Sequence, residues 1–244
     1  MADCKTSKTR MSAIETPKVN DGGLSADATK YMRLSQFMQT PSETHWKAVK
    51  WVLRYLQGTV NFGLRSICRN SLSLHMYSDA DWAGDASDPA FTIGYLLFFG
   101  KNHVSWFSKR QRTIARSSTK AEYRAVASSL AQTNCVTNLL AELQLKIQNV
   151  PTIYRDNVGA TYLCANLVFH SRMKHIAVDF HFVRKQVKLK QVQVVHINVA
   201  DQLADTLTKD LSKPTFDKHM FKLGIVAHCL PSERRISALP QTNN

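Results

Sequence analysis

The chain has 244 residues, 44% of them hydrophobic, which is enough for one sizeable core with at most a small extra module. Its 32 lysines and arginines against 18 acidic residues leave a net charge of +14, which favours a polyanionic partner, either nucleic acid or a membrane surface. No apolar run approaches the roughly 18 residues of a membrane span, and the polar N-terminus lacks a signal-peptide core. We therefore expect an intracellular protein, cytoplasmic or nuclear, that is not secreted and not a membrane protein.

The cysteines are scattered along the chain and never form a C-x-x-C pair. Their odd number argues against a disulfide framework, and their spacing argues against a zinc cage. Isolated apolar thiols are the better interpretation. The five positions are Cys4, Cys68, Cys135, Cys164 and Cys229.

The N-terminal part divides into two segments. Residues 1–30 are polar and contain an Asp-Gly-Gly breaker, which predicts a flexible lead-in. Residues 31–70 are predicted to be helical, because valines and leucines recur at helical spacing up to Gly58. The predicted N-cap, first-turn proline and capping-box acid of this helix are Thr40, Pro41 and Glu43.

Three strands are predicted next. From Leu72 the chain alternates, with apolar side chains on one face and Asp79 on the other face of the first strand. The apolar run FTIGYLLFFG predicts a second strand, and Gly100-Lys101-Asn102 predicts the hairpin that leads to a third, HVSWFS. Short connections of this kind favour antiparallel pairing.

The rest of the chain alternates between helices and strands. Ser117 or Ser118 is expected to cap a long helix that runs to about Leu143. The predicted elements after it are a strand PTIY before Asp156, helical stretches at 157–164 and 174–188, a strand QVQVVHI and a helix VADQLADTLTK at 199–209. Strands separated by helices favour parallel pairing, so we predict an α/β fold with a mixed five-stranded sheet flanked by helices.

Four acidic residues occupy positions that suit a ligand site. Asp79 and Asp156 each stand where a strand ends, which is where α/β sheets build their sites. Glu122 shares a helical stripe with apolar residues, and a carboxylate buried there needs a partner or a metal. Asp205 is expected to face outward from the last helix toward a cleft. The alternative for Asp79 is an ordinary turn acid, and for Asp205 an acid favoured in an early helical turn.

The motifs MYSDADWAGD, TIGYLLFFGKNHVSWFSKRQRTIARSSTKAEYRAVA, PTIYRDN, HSRMKHI and DQLADTLTK stand in this order. From about residue 72 to 211 they resemble the RNase H domain of copia-type LTR retrotransposon Pol polyproteins, plant versions especially. The resemblance implies an RNase H-like fold over 71–211, followed by a C-terminal tail at 212–244. It implies a metal-dependent ribonuclease that cuts the RNA strand of RNA–DNA hybrids by two-metal-ion phosphodiester hydrolysis.

The resemblance also implies roles for individual residues. Asp79, Glu122, Asp156 and Asp205 match the four carboxylates that bind metal, expected as two Mg²⁺ ions with Mn²⁺ as a substitute. His196 stands where RNase H enzymes often carry a mobile histidine thought to assist product release; the alternative is an exposed strand histidine.

Basic residues surround the predicted catalytic helix. We interpret them as phosphate contacts along the hybrid, and the alternative is a solvated basic face. They are Lys109, Arg110, Arg112, Arg116, Lys120 and Arg124. For a second tract, His170, His175 and His181, helical spacing does not bring all three to one face, and a structural or surface role is favoured.

The chain departs from the family in places. Residues 31–70 resemble a shortened remnant of the segment between polymerase and RNase H, and the sequence contains no Y-x-D-D motif, so no polymerase activity is expected. A separate reverse transcriptase chain is a candidate partner. Lys120 replaces a usual glutamate, and Phe91 and Ile93 replace a basic and small-polar stretch. The alternative function is therefore an inactive nucleic-acid-binding remnant of a decayed element.

Overall fold

A computed structural model describes residues 42–68, 71–82, 90–115, 117–165 and 176–227; the side chains of residues 90, 112 and 113 lie outside this description. Within these ranges no helix is both long and apolar enough to cross a bilayer.

The first helix, α1, spans Glu43–Thr59 and begins two residues later than the predicted cap implies. Its N-cap is Ser42, whose hydroxyl accepts the backbone N–H of His45 while the His45 ring accepts the backbone N–H of Ser42. The predicted cap at Thr40 is therefore wrong, because serine and histidine form the reciprocal capping pair instead. Thr40 and Pro41 themselves lie outside the described residues.

The predicted mixed sheet is confirmed. Its strands are β2 (Leu74–Asp81), β3 (Ala90–Phe99), β4 (Asn102–Ile114), β5 (Thr152–Arg155) and β6 (Gln193–His196). A short strand that precedes them, β1 (Phe62–Leu64), is not part of this sheet. The spatial order is β4-β3-β2-β5-β6. The first three strands pair antiparallel, whereas β5 joins β2 and β6 joins β5 in parallel. The hairpin turns at Gly100 with φ 57°, a left-handed conformation that glycine adopts without strain.

Three helices build the main core with the sheet: α2 (Ser118–Glu142), α3 (Val158–Ala165) and α4 (Ala177–Lys188). Ser117 caps α2 by accepting the N–H of Lys120, as predicted. Inward side chains of β2 and β5, such as Met76 and Ile153, pack against Leu130 of α2 and Phe180 of α4. This face therefore holds the largest apolar cluster of the described residues.

The predicted single helix over 199–209 is wrong. A 3₁₀ turn at Val199–Asp201 and a four-residue helix, α5 (Asp205–Thr208), are separated by residues 202–204, of which Gln202 is extended. The buried Gln202 amide donates to the backbone carbonyl of Ser78 and accepts the N–H of Ala204. The contact with Ser78 ties Gln202 to β2 at the point where the helical conformation is interrupted.

The chain then forms α6 (Lys213–Lys222) and β7 (Ile225–Ala227). Strand β7 pairs antiparallel with β1, so the segment before the main sheet meets the segment after it. Leu203, Leu223 and neighbouring apolar residues cover Leu96 and Phe98 on the second face of the sheet. The predicted domain boundaries near residues 70 and 211 stay predictions.

Candidate metal centre

Three aspartates converge at one end of the sheet. Asp79 lies in β2, Asp156 directly follows β5, and Asp205 is the first residue of α5. Strands β2 and β5 are parallel neighbours, so their carboxyl ends meet at the same edge. One carboxylate oxygen of each aspartate lies within 4.8 Å of the other two. Hard oxygen donors at this spacing suit a divalent cation such as Mg²⁺.

The burial of these aspartates supports the same fit. Asp79 is fully buried and Asp156 is half-buried. Oδ1 of Asp156 is buried without a hydrogen-bond partner in the described structure. A buried carboxylate oxygen without a partner is costly, and a cation held by the three aspartates would satisfy it.

Asp205 does not face outward, contrary to the sequence-based expectation. Only 5% of the residue is exposed, because α5 packs against β3 and turns this side chain toward the end of the sheet. Burial and the neighbouring Asp79 carboxylate raise the pKa of Asp205 and Lys209 lowers it, and the net pKa is about 6. The carboxylate therefore belongs to the acidic cluster and not to the outer surface.

Glu122 is held by a partner that the sequence analysis missed. Its helical stripe of Ala125, Val126 and Ser129 is buried as expected, and Glu122 itself is 6% exposed. The guanidinium of Arg155 donates from Nη2 to Oε2 of Glu122 at 2.9 Å. Glu122 is not part of the three-aspartate group, and its assignment as a fourth metal ligand stays a prediction.

The pKa of Glu122 reflects this environment. Burial raises this pKa, the Arg155 guanidinium lowers it and the carboxylates of Asp79 and Asp156 raise it, and the net pKa is about 8. The negative charges of the aspartates therefore affect the pKa of Glu122, although its carboxylate is bound by arginine.

Lys209 is a second residue that the sequence analysis missed. Its Nζ lies 2.8 Å from Oδ1 of Asp205 and 3.1 Å from Oδ1 of Asp79. The hydroxyl of Thr208 donates to the other oxygen of Asp79. The spacing of four residues between Asp205 and Lys209 was the available signal, since such pairs meet on one side of a helical turn.

Replacing Lys209 with methionine is expected to destabilise the protein without added metal by about 1–3 kcal/mol, because two buried carboxylates lose a charged donor. That corresponds to a drop in Tm of several degrees. Mg²⁺ or Mn²⁺ should restore more stability to this variant than to the parent.

Thermal unfolding in EDTA and in added metal checks this expectation. The matched control is Lys213→Met, since Lys213 pairs with Asp217 four residues on but both side chains are half-exposed. Its effect should stay within about 0.5 kcal/mol. Equal effects of the two variants in EDTA would contradict the prediction.

His196 lies beside the aspartates at the end of β6. Its ring is exposed, and Nε2 lies 3.1 Å from the backbone oxygen of Asp156. The structure thus brings it close to the cluster, and its role stays a prediction. In the predicted histidine tract, His181 is exposed on α4, while His170 and His175 lie outside the described residues.

The predicted phosphate contacts are only partly described. The described side chains are exposed or half-buried on β4 and α2: Lys109, Arg110, Lys120 and Arg124. The side chain of Arg112 and all of Arg116 lie outside the description, and the nucleic-acid role of the set stays a prediction. Phe91 and Ile93 are core residues with 1% and 2% exposure, so they offer no surface to a nucleic acid.

Comparisons with known proteins identify relatives of this chain by sequence. No family model matches the chain. The retrovirus-related Pol polyprotein from transposon RE2 of Arabidopsis thaliana is 53% identical over 194 residues, which is 80% of this chain and 13% of that protein. The one from transposon RE1 is 54% identical over 193 residues, 79% of this chain and likewise 13% of its relative.

Among solved structures, LC11-RNase H1 isolated from compost is similar with a TM-score of 0.44 at 16% identity, covering 61% of this chain and 99% of that one. The chain spans 13% of the length of the two Arabidopsis relatives. The resemblance inferred from the motifs is confirmed at the level of sequence identity over four fifths of the chain. The chain is therefore homologous to one segment of the retrovirus-related Pol polyproteins of plant transposons.

Proposed function

We propose that this protein is an RNase H-type endoribonuclease that cuts the RNA strand of RNA–DNA hybrids by metal-dependent phosphodiester hydrolysis. The observation that carries the proposal is the convergence of Asp79, Asp156 and Asp205 from three separate elements to within 4.8 Å. Homology to retrovirus-related Pol polyproteins, together with the motif resemblance to their RNase H domain, supports the choice of substrate.

The aspartates would hold Mg²⁺, with Mn²⁺ as a substitute, because both ions accept carboxylate oxygens. Divalent ions held there would supply the Lewis-acid chemistry that phosphodiester hydrolysis needs, namely activation of water and stabilisation of the leaving oxygen. Thr208 and Lys209 orient the Asp79 carboxylate through contacts with its two oxygens. An exposed imidazole at His196, beside Asp156, can exchange a proton with the departing strand.

The basic side chains on α2 and β4 bind the phosphates of the substrate. Lys120 and Arg124 stand on the same helix as Glu122, one turn or less away from it. Lysine and arginine contacts with phosphates give binding that depends steeply on salt and not on base sequence. Selection for RNA in the hybrid would come through 2′-hydroxyl groups in its wide minor groove.

A cleavage assay with the full chain tests the proposal. The substrate is an RNA–DNA hybrid with the RNA strand labelled at one end and the DNA strand at the other, incubated with Mg²⁺, with Mn²⁺ or with EDTA. We expect RNA fragments only in the presence of metal, an intact DNA strand, and no cleavage of single-stranded RNA.

The second candidate function is nucleic-acid binding without catalysis, favoured by the net charge of +14 and by the pairing of Glu122 with Arg155. Salt-dependent binding of the hybrid with no RNA cleavage in either metal would overturn the proposed enzyme and support this alternative.

A further inference from the structure

Arg155 is an unusual residue in its position. It is the last residue of β5, stands directly before Asp156, and is completely buried. One of its nitrogens donates to Glu122, whereas Nε and Nη1 have no hydrogen-bond partner in the described structure. Each unmade bond of a buried donor costs about 1–3 kcal/mol, so packing alone does not account for an arginine there.

Arg155 lies against the main apolar core, and its charged contact is with Glu122. Strand alternation places its side chain on the same face of β5 as Ile153, which belongs to the main apolar core. On that side it approaches the buried thiol of Cys164. Burial raises the pKa of this thiol, the charge of Arg155 and a hydrogen bond with it lower the pKa, and the net pKa is about 11. A neutral thiol does not balance a guanidinium, so Glu122 is the charged group that the arginine contacts.

The pairing removes Glu122 from the acidic cluster in two ways. Geometrically, its carboxylate is bound at 2.9 Å by the guanidinium and does not join the three aspartates that lie within 4.8 Å of one another. Electrostatically, the positive charge of the Arg155 guanidinium opposes the attraction that this carboxylate would exert on a divalent cation. A buried ion pair also resists opening, because separating it leaves two unpaired buried charges.

We infer that Arg155 holds Glu122 out of the metal site and restricts this chain to three carboxylate ligands, which weakens its binding of divalent metal. Arg155 is thus a positioning residue that acts through Glu122. The inference rests on the proposed metal site and predicts that removing the arginine side chain tightens metal binding.

The test measures Mn²⁺ binding to the full chain, without substrate, by electron paramagnetic resonance of the free ion. Arg155→Met, a neutral residue of similar length, is expected to bind Mn²⁺ at least tenfold more tightly than the parent. Glu122→Gln should weaken binding no more than about twofold in the parent, and should abolish the gain in the Arg155→Met background. This coupling distinguishes positioning of Glu122 from a general effect on stability.

Arg184→Met is the matched control, because the Arg184 guanidinium lies 5.0 Å from the ring of Phe180 and does not bind a carboxylate of the cluster. Its Mn²⁺ affinity should stay within about twofold of the parent. An Arg155→Met affinity equal to or weaker than that of the parent would overturn the inference. An equal gain in Arg184→Met would overturn it too.

If Arg155→Met does not fold, Glu122→Gln in the parent decides, since glutamine keeps an oxygen that can accept from Arg155. A loss of Mn²⁺ affinity as large as that of Asp156→Asn would then overturn the inference, and a loss of twofold or less would support it. Failure of the proposed function looks different, because Asp79→Asn and Asp156→Asn would then leave Mn²⁺ binding unchanged.

Discussion

Asp79→Asn is expected to lower the rate of RNA cleavage by about 10³-fold or more while the protein stays folded. Asp79 is the fully buried member of the three aspartates, and its loss removes one negative charge from the proposed metal ligands. Charge stabilisation by such metals contributes several kcal/mol to the transition state, and each 1.36 kcal/mol is about tenfold in rate. Asparagine keeps the shape of the side chain and one acceptor oxygen, which can serve either Thr208 or Lys209.

Single-turnover cleavage of the labelled hybrid in Mg²⁺ measures this effect, with circular dichroism as the check on folding. The control is Asp201→Asn, because Asp201 is an exposed aspartate of the same chain region that pairs with Lys218 and Lys222. Its rate should stay within about twofold of the parent. Undiminished cleavage by folded Asp79→Asn, or an equal loss in Asp201→Asn, would show that the three aspartates are not the catalytic centre.

Gly94→Val is expected to disrupt the proposed metal site by pushing α5 away from β3. Gly94 is the register partner of Asp79 in β3, and a Cβ added there would lie 2.7 Å from Cγ2 of Thr208 and 3.1 Å from Cβ of Leu207. Helix α5 must then shift away from the sheet with Asp205, Thr208 and the adjoining Lys209. Overpacking of this kind costs about 1–3 kcal/mol.

We expect a lower Tm, a loss of Mn²⁺ affinity and a loss of hybrid cleavage together in this variant. Gly159→Ala is the control, since the nearest atom to its added Cβ lies 3.4 Å away and alanine favours the helix α3. It should keep or slightly raise the Tm and keep metal affinity. Gly94→Val with parental stability and metal affinity would mean that the close packing of α5 on β3 does not hold Asp205 in place.

Local patterns in the sequence were sufficient for the sheet and for the main helix. Alternation from Leu72 and the run FTIGYLLFFG predicted β2 and β3, and the serine cap and apolar stripe predicted α2. These signals are reliable because strand and helix periodicities are set by residues close in sequence. The same signals failed at residues 199–209, where Gln202 contacts Ser78 across 124 positions and breaks a helix that its own neighbours would continue.

The candidate site likewise has features that the sequence predicted and features that depend on contacts between distant elements. Motif resemblance and strand ends identified Asp79, Asp156 and Asp205, and the apolar stripe identified Glu122 as a carboxylate in need of a partner. The partner of Glu122 is Arg155, which lies 33 residues away in the sequence. Lys209 joins Asp205 to Asp79, and Asp79 lies 130 residues away from it. Both contacts depend on how distant elements pack.

The amino-acid sequence by itself thus determined the fold class and predicted the relationship to Pol polyproteins and the acidic residues of the candidate site, because each depends on residue type and short-range order. Only the tertiary structure decided that Asp205 is buried, that three aspartates converge while Glu122 is bound by arginine, and that β1 meets β7. The physical reason is that burial and charge pairing are properties of the packed elements, and one local pattern is compatible with several different partners in the fold.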